Sequence, residues 1–180
     1  EIPIKPEFRK NYLLNIAIER ENIELIRILL NVPQINVNVR SQERINRNNH
    51  DEKGHNKTAL FIAIEKGNFE IVKLLLEHKD LDINAESHLF YNTYRNYDIN
   101  TNNLIFAIEK RNTEIVKLLL NHPNININLA SITNIYEDND RSDMRIIKPP
   151  LIAAIENEQV EIVDLLLKNN NINVNQKYLY

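Results

Sequence analysis

Cysteine is missing from all 180 residues. That excludes disulfides, thiolate metal centres and cysteine nucleophiles, and it suits a reducing compartment. Glycine is nearly missing as well, at 2 residues, so turns and left-handed positions must be met by other residues. Asparagine is the best substitute, because its short amide bonds locally to the backbone. No apolar run approaches the roughly 18 to 20 residues of a membrane-spanning helix, and the opening "EIPIKPEFRK" lacks the apolar core of a signal peptide. Neither sign of charge dominates: the formal net charge is −3 with both signs interspersed, which leaves no basic field for nucleic acid or an anionic membrane. The expectation is a soluble cytoplasmic protein with no nucleic-acid partner and no membrane insertion.

What the chain does have is asparagine, roughly one residue in six, and a phrase repeated letter for letter. "EIVKLLL" occurs at Glu70–Leu76 and at Glu114–Leu120, with looser copies "ELIRILL" at Glu24–Leu30 and "EIVDLLL" at Glu161–Leu167. Seven residues before each copy stands an alanine that opens an Ala-Ile-Glu signature: Ala17, Ala63, Ala107 and Ala154. After each copy comes a matching tail, "INVN", "LDIN", "ININ" and "INVN", ending at Asn38, Asn84, Asn128 and Asn175.

Each unit reads as two antiparallel helices. In the second, Ile71, Leu74 and Leu75 fall at i, i+3 and i+4, and Val72, Leu75 and Leu76 continue the stripe, while Glu70, Lys73 and Glu77 lie outside it. Asn22, Asn68 and Asn112 precede these helices as N-caps, with Gln159 a poorer cap in the fourth copy. The first helix of a unit starts near Thr58 or Asn102 as N-cap, and Pro150 takes the first-turn position that needs no N–H. Neither helix can bury its stripe alone, so the units must stack on one another as a solenoid.

These residues resemble the ankyrin repeats. The family pattern is matched by "TALFIAIEKGNFEIVKLLLEHKDLDIN" from Thr58 to Asn84, with similar matches over 13–38, 103–128 and 150–175. The resemblance implies an all-α solenoid of four stacked helix pairs, in repeats of approximately 11–38, 57–84, 101–128 and 148–175, forming a single domain over 1–180. The family's histidine is replaced by Asn15, Phe61, Ile105 and Ile152, and its interhelical glycine survives only as Gly67, with Glu21, Arg111 and Glu158 in the other copies. If that position stays left-handed, each replacement costs on the order of 1 kcal/mol. The glycine that usually follows the second helix is gone too, and Ile35, Leu81, Ile125 and Ile172 in the longer turns are expected to pack inward.

The copies lie 46, 44 and 47 residues apart, alanine to alanine, against about 33 for an ordinary ankyrin unit. The surplus falls in the connections 39–57, 85–101 and 129–148, where the resemblance implies β-hairpin-like fingers bordering a concave surface. Long connections of this kind in a compact domain are usually functional. The first carries Arg40, Arg44, Arg47, His50, Asp51 and His55; the third is acidic around Glu137–Asp143 and apolar at Ile146 and Ile147. The second, "HLFYNTYRNYD", gathers Phe90, Tyr91, Tyr94, Arg95 and Tyr97, residue types that anchor interfaces through large contact area and a polar tip. Those rings either meet a partner or fold back over the helices. On the concave side the resemblance also places Glu65, Lys66, Glu109 and Lys110 toward the binding groove, beside Glu19-Arg20 and Glu156-Asn157. That row is either a charged ligand strip or a solvated face.

No chemistry stands out. His50, Asp51 and His55 lack a fourth ligand for zinc, and Asp138, Asp140 and Ser142 start a calcium-loop pattern that lacks its glycine and its closing glutamate. There is no nucleophile elbow, phosphate loop or dinucleotide fingerprint. The expectation is therefore a module with no catalytic residue, metal or cofactor that recognises a protein partner through its fingers and concave helix face. The alternative is a spacer or tether segment of a longer ankyrin array in a multidomain protein. By either reading the chain is a monomer, or self-associates weakly through an uncapped terminal repeat.

Overall fold

The computed structural model describes residues 6–42, 53–91, 96–136 and 144–179. Among the described residues, eight helices fall in four pairs: α1 Pro6–Glu19 with α2 Ile23–Leu30, α3 Ala59–Lys66 with α4 Phe69–Leu76, α5 Asn103–Glu109 with α6 Thr113–Leu120, and α7 Pro150–Glu156 with α8 Val160–Leu167. The first helices stack on one another in the order α1, α3, α5, α7, and α2, α4 and α6 form a second layer outside them. The signature alanines Ala17, Ala63, Ala107 and Ala154 are at most 1% exposed. A small side chain there lets the stacked helices approach closely.

Helix starts follow the sequence. The side chains of Asn22, Asn68 and Asn112 accept the N–H of Leu25, Ile71 and Ile115, and Thr58 and Asn102 accept from Phe61 and Ile105. Pro150 sits in the first turn behind Pro149. Gln159 makes no cap bond, and its amide instead donates to the carbonyl of Ile108 in the preceding unit at 2.6 Å. Glu21, Arg111 and Glu158 hold φ of 52°, 56° and 57°, beside 68° at Gly67. The left-handed turn is thus kept with and without glycine. Ile35, Leu81, Ile125 and Ile172 pack against the core from the turns, as expected.

The connections are hairpins, and they do more than project. Strands β1 Arg40–Gln42, β2 Lys53–Thr58, β3 Glu86–Tyr91, β4 Asn96–Asn102, β5 Ser131–Tyr136 and β6 Met144–Lys148 join in chain order into one six-stranded antiparallel sheet. Neighbouring fingers pair with each other (β2 with β3, β4 with β5) as well as within themselves. At the far edge Ile147 forms a further antiparallel bridge with Leu179.

A third line of bonds runs between the units at the turns. The amide of Asn38 donates to the carbonyl of Asp80 at 2.6 Å and accepts the N–H of Asp82 at 2.8 Å. Asn84 does the same to Asn124 and Asn126, and Asn128 to Asn171 and Asn173. Within each turn, Asn36, Asp82, Asn126 and Asn173 accept the N–H two residues on. This local bond is the reason Asn and Asp favour turns, and here it holds the next asparagine in place to reach across.

Candidate binding surface

The strands β2 and β4 run directly into the first helices α3 and α5 and touch them, and the face of the sheet turned to that layer is built from strand alternation. Register sets Ser41 opposite Lys57, Ser87 opposite Thr101, and Ser131 opposite Lys148. These residues form one row across the sheet, nearest the helices. Farther out on the same face stand Leu89, Ile99, Tyr97, Thr133, Ile135 and Ile146. Leu89 is buried and Ile99 packs on the core, whereas Tyr97 is half-buried and Met144, at the outer end, is exposed.

Facing this wall is the column of glutamates that follows the alanine signature. Lys57 Nζ lies 2.9 and 3.0 Å from the two carboxylate oxygens of Glu65. Lys148 Nζ lies 2.8 Å from Glu156, whose carboxylate also accepts the hydroxyl of Tyr178 at 2.8 Å. The hydrogen bond from Lys148 is the main reason the Glu156 carboxyl sits below its ordinary value. Burial works against charge on Lys148, but that same bond, with Glu156 and Glu109 nearby, raises its ammonium above the usual lysine value. The cations that meet the glutamates therefore come from the ends of β2 and β6. Lys66 and Lys110, next to the glutamates in sequence, are exposed.

Glu109 differs. It makes no ion pair among the described residues, and Thr101 occupies the place taken by Lys57 and Lys148 in the flanking fingers. Loss of hydration, with Glu156 adding to it, raises its carboxyl above the ordinary value, against the pull of Lys148 and Lys110. Lys110 Nζ stands 5.2 Å above the ring of Phe106, within cation–π range. Phe106 in turn stacks on Phe61 with ring centroids 3.9 Å apart.

On the opposite face of the sheet Asp98 gathers three strands. It accepts the amide of Asn134 at 2.7 Å and the hydroxyl of Tyr136 at 3.2 Å, and lies 3.2 Å from His88 Nε2. Burial raises the Asp98 carboxyl, but the hydrogen bonds from Asn134, His88 and Tyr136 outweigh it and bring the group below its ordinary value.

Of the aromatic finger, Phe90 and Tyr91 lie in β3, with Phe90 registered opposite Asp98 and Tyr91 opposite Tyr97. Tyr94 and Arg95 lie outside the described residues, as do Arg44, Arg47, His50, Asp51, Asp138, Asp140, Ser142 and Asp143. Among the described residues, no group of three His, Cys, Asp or Glu is placed to hold a metal ion, and no helix is long and apolar enough to cross a membrane. Sequence reasoning missed Lys57, Lys148 and Phe106. The shared spacing of eight from Lys57 to Glu65 and Lys148 to Glu156 was the signal available.

A sequence profile described as "Ankyrin repeats (3 copies)" matches residues 4–87 and again 87–178. The chain belongs to the ankyrin-repeat family. Ankyrin repeats are generally protein–protein interaction modules, and typically not enzymes. No curated protein sequence matches the chain. Among solved structures, the chain is similar to the ankyrin repeat domain of Bcl-3, described as a unique member of the IkappaB protein family. That similarity has 21% identity and a TM-score of 0.51, over 92% of this chain and 74% of the other. At that identity the likeness bears on the fold, and it agrees with the ankyrin architecture of helix pairs and fingers.

Proposed function

We propose that this ankyrin-repeat chain is a non-catalytic cytoplasmic module that recognises a protein partner between its finger sheet and its first helices. The observation that carries this reading is the edge-to-edge pairing of the fingers. Three connections of unlike sequence are hydrogen-bonded into one wall, so side chains that vary from unit to unit are presented on a fixed frame, and little ordering entropy is lost on binding. The partner contacts are assigned to Tyr91, Tyr94, Arg95 and Tyr97, joined by Phe90 where the partner wraps the finger, and to Glu65, Lys66, Glu109 and Lys110 on the helix side. A photo-crosslinking residue at Tyr97 or Lys66 should label the same cellular protein, and one at Lys73 on the outer layer should not. Changing Tyr91, Tyr94, Arg95 and Tyr97 together to Ala should abolish the labelling from Lys66. Equal labelling from the outer position, or capture unaffected by the four changes in a folded variant, would sink the assignment.

A second reading, a spacer or tether within a longer ankyrin array, is favoured by the two end faces. Ile16 and Ile28 are 50% and 64% exposed at one end, and Val160 and Val174 are 80% and 58% exposed at the other. This reading accounts equally well for weak self-association of the isolated chain.

A further inference from the structure

The glutamate column carries an irregularity that the stacking does not require. At two fingers the residue just before the N-cap of a unit's first helix is a lysine, and it reaches eight residues ahead to the glutamate: Lys57 to Glu65 and Lys148 to Glu156. At the finger between them that residue is Thr101, only 1% exposed, with no charge to offer. Glu109 is left accessible at the centre of the column, flanked by two glutamates that are already neutralised.

The nearby cations are engaged elsewhere. Lys148 is hydrogen-bonded to Glu156, and Lys110 stands over Phe106. A carboxylate can accept several hydrogen bonds at once. Glu109 is exposed, so its acceptor sites are open to a cation that arrives from outside.

We infer that Glu109 is the point at which the groove takes a lysine or arginine side chain of a bound polypeptide segment, filling the place that Lys57 and Lys148 fill at the neighbouring fingers. This rests on the groove reading above and makes it more specific. The aliphatic part of the incoming side chain lies toward Ile99 and Thr133, and its head meets Glu109. Occupancy by a cation from the partner completes an alternation of charge that the chain itself supplies at the other two positions.

The test is selection of peptides from a random displayed library on the full chain, followed by affinity measurements with the selected peptides. Binding that is lost in Tyr97→Ala marks a groove peptide. Groove peptides should share a Lys or Arg at one aligned position, and replacing it by norleucine should weaken binding about tenfold or more, as expected for a charge-assisted bond. In Glu109→Gln that replacement should make little further difference, so the two changes are coupled. Thr101→Lys supplies the missing internal cation and, where circular dichroism shows it folded, should weaken the same peptides; Lys73→Gln, on the outer layer, should not affect them. Groove peptides with no cation requirement, or with one that persists in Glu109→Gln, overturn the role of Glu109 and leave the groove reading standing. A library that returns only peptides indifferent to Tyr97→Ala overturns both.

Discussion

Three residues with ordinary side chains hold a backbone conformation that suits glycine. Glu21, Arg111 and Glu158 each close a helix with φ between 52° and 57°, where a Cβ crowds the following carbonyl. Glu21 gains something in return, since its carboxylate accepts the amide of Asn68 at 2.9 Å; nothing among the described residues repays Arg111 in the same way. Arg111→Gly and Glu158→Gly should each raise unfolding free energy by about 1 kcal/mol, read as a higher denaturant midpoint with an unchanged slope. Gly67→Ala should lower it by a similar amount. That loss comes from the backbone and not from a clash, because an added Cβ would meet only Asn112 Nδ2 at 3.6 Å. The position was legible in the sequence because four copies align on it. The mutual placement of Lys57 and Glu65 was not, since spacing alone says nothing about a lysine on a strand reaching a helix that starts two residues later.

At the scale of elements, the asparagine turns and the finger sheet do the joining, and they differ in how far they could be foreseen. Abundant asparagine was visible, and its N-cap positions followed from spacing. The cross-unit rungs were hidden because they tie residues 40 or more positions apart: Asn84, for example, is bonded to backbone at Asn124 and Asn126 at 2.8 Å each. Asn84→Ala removes both bonds, which at this exposed site should cost about 1 kcal/mol. Denaturant unfolding measures it, and a loss below a few tenths would show that water replaces the amide. Likewise the sequence pointed to fingers with hairpin character but not to their pairing with one another, because strand register depends on turn geometry at each base.

Asp98 stitches three of those strands, and its lowered carboxyl gives the stitch a pH dependence with a definite sign. The group contributes stability in full above its ordinary value of 3.8, and loses it as pH falls through the lower native value. Amide exchange along β3, β4 and β5 should therefore accelerate on acidification through that range, while Asp98→Asn should start less protected at neutral pH and change less. Glu109 runs the other way. Its carboxyl is raised, so protonation relieves a cost and stability from this group increases as pH falls toward 4.5.

Across the whole molecule, the same letter in the repeat has a different worth in different units. The isoleucine after each signature alanine is at most 1% exposed at Ile18, Ile64 and Ile108, but 52% exposed at Ile155, where no further unit covers it. Leu25, at a position held by buried Ile71, Ile115 and Ile162, is 42% exposed for the complementary reason at the other end. Ile108→Ala should cost about 2 to 5 kcal/mol, as a cavity between stacked helices does. Ile155→Ala should cost well under half as much, and calorimetry on the two variants decides it. Equal losses would mean that the terminal unit is covered in solution. The fold was legible because each unit repeats the same stacking stripe. The binding surface was less so, because it arises where strands from three unlike connections converge.

Because the sheet order follows the chain order, the strands lie across the stack and the hydrogen bonds of β2 with β3 and β4 with β5 point along it, as do the asparagine rungs beside them. A tensile load along the solenoid would therefore be borne at each joint by a whole set of parallel bonds. They would be broken together, joint by joint, giving an extension that rises in discrete steps.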